Sequence, residues 1–166
     1  MQTELGEVSN ILWRERRLLE LLVFKLEEEQ LVLASGRSRW LTHATREVEA
    51  VLAEIKRLEL DRAVHVEALA QLLALGSNPT LRQLVDASPI PWSGIFDDHR
   101  VALLELAQEI DGVARSNRDM LSRGHEAARE ALLTLGEIEL DGYTPRGASD
   151  AIADRASVLR IVDEAM

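Results

Sequence analysis

The chain has no cysteine in its 166 residues. That excludes disulfide scaffolds, thiolate zinc sites and cysteine nucleophiles. Positive charge is also short. Lys and Arg together number 19 against 29 Asp and Glu, leaving a net charge of -10. A nucleic-acid binder needs a basic footprint, so that class is disfavoured. No apolar run approaches the roughly 20 residues that span a bilayer. The tightest cluster, residues 18–24, is broken by Glu20 and followed by Lys25. The start, Met1 to Glu7, is acidic and lacks the basic-then-apolar layout of a secretory leader. The expectation is a cytosolic protein. Aromatics make up 4% of the chain, and only 4 prolines and 9 glycines interrupt it. With 46% hydrophobic residues, mostly leucine and alanine among glutamate and arginine, the composition reads as ordered and all-α.

Hydrophobic spacing divides the chain into helices. Residues 2–35 carry Leu5, Val8, Leu12, Leu19, Leu22, Leu26 and Leu33 at 3–4 spacing, with acidic misses at Glu15 and Glu29. Such a helix is about 50 Å long. Gly36 suits its left-handed end. The short break sends a second helix, residues 40–75, back antiparallel, with Gly76 closing it. Arg62 sits where that helix should be apolar. Thr80-x-x-Gln83 has capping-box spacing and opens a short connecting helix, residues 81–87. Pro89 and Pro91 predict an extended turn through Gly94. A third long helix follows over residues 96–140, with Asn117 on its stripe and Gly112, Gly124 and Gly136 within it. Each glycine costs about 1 kcal/mol relative to alanine, so its distal half should be the softer. Residues 141–148 form a linker. Residues 150–166 form a last amphipathic helix that either docks on the bundle or waits for a partner. The expected architecture is an elongated antiparallel bundle or coiled coil of three long helices over residues 1–140. A linker and C-terminal helix occupy residues 141–166. Wide stripes leave pairing between two copies open alongside pairing within one.

Chemical motifs are missing. The residues three before His43, His65, His99 and His125 are Trp40, Arg62, Phe96 and Ser122, so the Glu-x-x-His pairs of di-iron bundles do not occur. Asp97-Asp98-His99 reads more simply as a match to a helix N-terminus than as a metal site. No phosphate-binding loop, dinucleotide fingerprint or nucleophile elbow is present. The expectation is no enzyme, no cofactor and no metal. Arg62 is expected to pair with a third-helix carboxylate, and Asn117 to act as a buried register-setting asparagine. Trp13, Trp40 and Trp92 are either packing residues or partner anchors.

The order of several weak motifs is more specific than any one of them. Leu12-Trp13-Arg14-Glu15 opens the series. Leu58-Glu59-Leu60-Asp61-Arg62, Leu75-Gly76, Thr80-Leu81-Arg82-Gln83-Leu84 and Asn117-Arg118-Asp119-Met120-Leu121 follow, with a tail from Tyr143 to Gly147. Over residues 4–147 this resembles the flagellar export chaperone FlgN family. The Pro89-Pro91-Trp92 loop is longer than the family pattern, and residues after Gly147 have no match in it. The resemblance implies a cytosolic, non-enzymatic chaperone. Its partners would be hook–filament junction (hook-associated) proteins, kept from premature polymerisation and handed to the flagellar type III export apparatus. The softened third helix and the segment after Gly142 are the expected cargo site, with Leu132, Leu135, Ile138, Tyr143, Ile152 and Leu159 as contacts. Two rivals remain. One is a coiled-coil scaffold or regulator. The other is a secreted helical hairpin of the Trp-x-Gly type, suggested by Trp92-Ser93-Gly94 between two helices.

Overall fold

The structure is a computed structural model that describes residues 1–134. All of its regular structure within those residues is helical. Helix α1 covers Gln2–Ala34. It stops where Gly36 takes φ +67 and donates its amide to the Leu33 carbonyl at 3.2 Å. A single 3-10 turn, Ser38–Trp40, leads into α2, Leu41–Leu72. The sequence reading carried this second helix to residue 75. It ends earlier because Ala74 adopts φ +55, and the Leu75 amide reaches back to the Ala70 carbonyl at 2.9 Å. Ala74 thus performs the left-handed closure assigned to Gly76.

Helix α3, Leu81–Ala87, opens with a capping box. The Gln83 amide donates to Thr80 Oγ1 at 3.2 Å, and the Thr80 amide to Gln83 Oε1 at 2.8 Å. Helix α4 covers Trp92–Thr134 and starts four residues before the expected Phe96. The amides of Trp92 and Ser93 both return to the Pro89 carbonyl, at 2.8 and 3.3 Å. Pro91 therefore leads directly into the helix instead of prolonging an extended turn, which suits a residue with fixed φ and no amide hydrogen. Trp92-Ser93-Gly94 is consequently the first turn of α4, not a loop between helices.

Long-range bonds fix the helix directions. Glu29 meets Thr45, Lys25 meets Glu47 and Glu15 meets Arg62, so α2 runs antiparallel to α1. Gln2 meets Trp92, Ser9 meets His99 and Gln30 meets Ser116, so α4 runs parallel to α1. Helix α1 is the shared partner of both long neighbours. Its stripe accordingly widens to two faces. Leu5, Leu12, Leu19, Leu22 and Leu26 are each almost wholly buried, as are Val48, Leu52 and Ile55 on α2 and Phe96, Leu103 and Ile110 on α4. Burying one such side chain is worth about 1.5–3 kcal/mol.

The acidic misses of the first stripe prove to be interior. Glu29 is fully buried. Thr45 Oγ1 on α2 donates to its Oε1 at 2.9 Å, and Asn117 Nδ2 on α4 donates to its Oε2 at 3.0 Å. Asn117 Nδ2 also donates to the Leu26 carbonyl at 2.8 Å. One carboxylate thereby joins three helices. Glu15 is equally interior, 2% exposed, and lies 3.5 Å from Arg62 Nη1. The partner of Arg62 is thus a first-helix carboxylate, not the expected third-helix one. Its position on α2 faces α1, and the antiparallel register sets it opposite Glu15. His99 is 1% exposed, with Nε2 3.3 Å from Ser9 Oγ and its ring edge-on to Trp13 at 5.0 Å.

Two predictions follow from these buried polar groups. Asn117→Ala leaves a donor missing at Glu29 and at Leu26, and should lower unfolding free energy by about 2 kcal/mol. Gln30→Ala, at a half-buried position, should cost well under about 1 kcal/mol by the same reasoning. Urea unfolding of both variants checks this. Burial, helped by the nearby Arg16, pushes the His99 imidazole down to about 4. The unfolded chain therefore binds the proton first on acidification. The stability tied to neutral His99 should drain away as pH falls from about 6.5 towards 4. Midpoints measured across that range should slope less steeply in His99→Leu than in the native chain.

Candidate functional site

The parallel pairing of α1 and α4 has a geometric consequence. Hydrogen-bonded partners on the two helices lie 86 to 91 residues apart in sequence. In that register α1, ending at Ala34, runs out opposite the neighbourhood of Gly124. Residues 124–134 continue past it for about 16 Å.

Burial along α4 records the change. Phe96, His99, Leu103, Ile110, Ala114 and Asn117 are all buried, but Leu121 is only half-buried, and residues 122–131 are exposed throughout. The apolar stripe does not stop there. It continues through Leu121, Ala128 and Leu132 on the same side of the helix. Leu132 is half-buried and Leu133 is 61% exposed. The tip of α4 is therefore an amphipathic helix with no neighbouring helix along its apolar side among the described residues. Its charge is balanced, with Arg118, Arg123 and Arg129 set against Asp119, Glu126 and Glu130. Leu31 and Trp40, both exposed, and Met120 stand at the same end of the bundle.

Such a surface can accept a second amphipathic helix, which supplies the missing side of the stripe. Of the six contacts expected from sequence, Leu132 lies on it. Leu135, Ile138, Tyr143, Ile152 and Leu159 lie outside the described residues, as do the linker and the last helix expected from sequence. Arg62 and Asn117 lie away from the tip, in the α1–α2 seam and at the three-helix junction respectively. Trp92 leans on Phe96 with ring centroids 6.2 Å apart. Trp13 is half-exposed beneath the Arg16 guanidinium. Trp40 carries Arg39 in the same way.

Sequence reasoning passed over a second exposed apolar row on the outer side of α2. Leu60 and Val64 are 73% and 68% exposed, and Leu72, which continues the main stripe in sequence, is 50% exposed instead of buried. The four-residue spacing of Leu60 and Val64 is helical but falls off the main stripe, and that offset was the available signal.

The chemistry of the remaining clefts is modest. Among the described residues no group of three or more His, Asp or Glu is arranged to hold a metal ion. Asp97 is engaged by Arg100, with Asp97 Oδ1 2.8 Å from Nη2, and His99 is turned into the core. A narrow cleft of about 60 Å³ lies between α1, α2 and the start of α3. A shallow, open groove of about 410 Å³ separates α3 from the first turns of α4. No helix among the described residues is long and apolar enough to cross a membrane.

Gly124 sits at the root of the free tip, with open space where a Cβ would stand. Gly124→Ala should stiffen the tip by about 1 kcal/mol. Amide exchange over residues 121–134 should slow about fivefold, with exchange at the α1–α2 seam unchanged.

Comparison with known proteins adds to this geometry. The sequence matches the FlgN protein family over residues 1–151. No curated protein and no solved structure matches it. The match takes in the whole described bundle, including the unpartnered tip of α4, and on that span the chain belongs to the FlgN family, a family of flagellar export chaperones.

Proposed function

We propose that this chain is a cytoplasmic flagellar type III export chaperone without enzymatic activity. It holds hook–filament junction proteins before export, keeps them from polymerising early and hands them to the export apparatus. The observation that carries the reading is the apolar side of α4 beyond Asn117, which continues after α1 has ended. A cargo helix of amphipathic character would complete that side as α1 completes it lower down. Leu121, Ala128 and Leu132 would meet the cargo, with Leu135, Ile138, Tyr143, Ile152 and Leu159 extending the contact.

Binding by a helix tip that is soft when alone fits a carrier that must also let go. Ordering on contact lowers net affinity for a given area and so favours release. The net charge of -10 keeps the unloaded chaperone soluble and complements basic surfaces on a recipient.

Deleting residues 143–166 should abolish co-purification with hook-associated proteins while circular dichroism retains the helicity of the bundle. Leu132→Glu in the full chain should weaken the same binding at least tenfold, about 1.4 kcal/mol. Undiminished binding by both variants would assign the cargo to another surface.

A further inference from the structure

The narrow cleft between α1 and α2 holds a charge problem that the chaperone reading does not use. Arg62 lies 3.5 Å from Glu15 on α1, and Glu59 on α2 feels the charge of Glu15 as well as those of Arg62 and Lys56. Glu15 is 2% exposed and Glu59 is half-buried. Glu15 Oε2 and Glu59 Oε1 are both shielded from solvent without a hydrogen-bond donor. The walls of the cleft are largely apolar: Val8 and Leu12 from α1, Ala63 and Val66 from α2, and Leu81 and Leu84 from α3.

The other charges facing Glu59 are few. Helix α1 contributes Glu15, and α2 contributes Arg62 and the exposed Lys56. Residues 78–84 bring Asn78, Pro79, Leu81 and Leu84 to the cleft, none of them charged. Of the two arginines that flank Glu15 on α1, Arg14 is directed to Asp61 and Arg16 lies over the Trp13 ring. One guanidinium cannot balance two desolvated carboxylates in apolar surroundings.

We propose that Glu15, Glu59 and Arg62 form a proton-operated clasp on the α2–α3 end of the bundle. The clasp is closed while the two carboxyls keep a proton between them and loosened when both ionise. Loosening frees the second half of α2 from α1, while α3 stays packed on α4, and brings Leu12, Val66 and Leu84 towards solvent.

The direction of titration agrees. Burial, reinforced by the charge of Glu15, pushes the Glu59 carboxyl up to about 7. Burial raises Glu15 as well, against the opposing pull of Arg62. The closed cleft therefore binds a proton that the opened one, with ordinary carboxyls, releases. Closure is favoured most below about pH 4.5, and that advantage is lost as pH rises through about 7.

The test is amide exchange on the full chain at pH 6 and pH 8, expressed as protection factors so that intrinsic rates cancel. For Glu59 alone, protection over residues 60–72 should fall about tenfold from pH 6 to pH 8. Protection near Glu29 and Thr45, at the other end of the same seam, should hold. Glu59→Gln should remove the pH dependence. In the native chain, carbon NMR of the Glu59 carboxyl should place its titration near neutrality, a readout that needs no variant. A pH dependence that persists in Glu59→Gln, or one spread evenly along α2, would overturn the proposal. So would a Glu59 carboxyl that titrates like an exposed one.

Discussion

The Glu29 carboxylate is the constraint around which the bundle is organised. It is fully buried on α1, and it takes a hydroxyl from α2 and an amide from α4 on its two oxygens. A leucine seam alone tolerates sliding by a turn, because one apolar residue replaces another at similar cost. A buried carboxylate does not, because any shift strands it without donors. Register of both neighbours against α1 is therefore set at this junction. Once α4 is fixed in parallel register, its greater length becomes an overhang beyond the hairpin end.

The proposed cargo surface follows from that length difference. Helix α1 stops at Gly36 for a local backbone reason, and the chain turns into α2. Nothing comparable stops α4 at the matching level. Gly124 softens the helix there but leaves it helical to the last described residue, Thr134. An apolar stripe that outlasts its partner is held ready by the lower bundle. In the proposed reading, cargo binding rests on unequal helix lengths more than on any special side chain.

Much of this was legible from residue spacing. The 3–4 pattern of Leu5 to Leu33 yields α1, and Thr80 with Gln83 yields the start of α3. Asn117 on the third stripe points inward as a register-setting residue would. Other features were hidden for physical reasons. Glu15 and Glu29 look like interruptions of a stripe, because spacing says nothing about partners that arrive from sequence-distant helices. Arg62 was assigned to the wrong carboxylate because three-helix pairing depends on which face of α2 meets which neighbour. The start of α4 was placed late because Pro91 is ambiguous in sequence: the same ring that breaks a helix also begins one. The outward pair Leu60 and Val64 was missed because it lies outside the dominant stripe.

The central claim is that cargo completes the apolar side of the α4 tip. The absence of cysteine permits single nitroxide labels at Ala128→Cys on the tip and Val64→Cys on the outer row of α2. Spectra of each label are then compared before and after adding a purified hook-associated protein. The account predicts immobilisation at position 128 and an unchanged spectrum at 64. Immobilisation at 64 with free motion at 128 would contradict it.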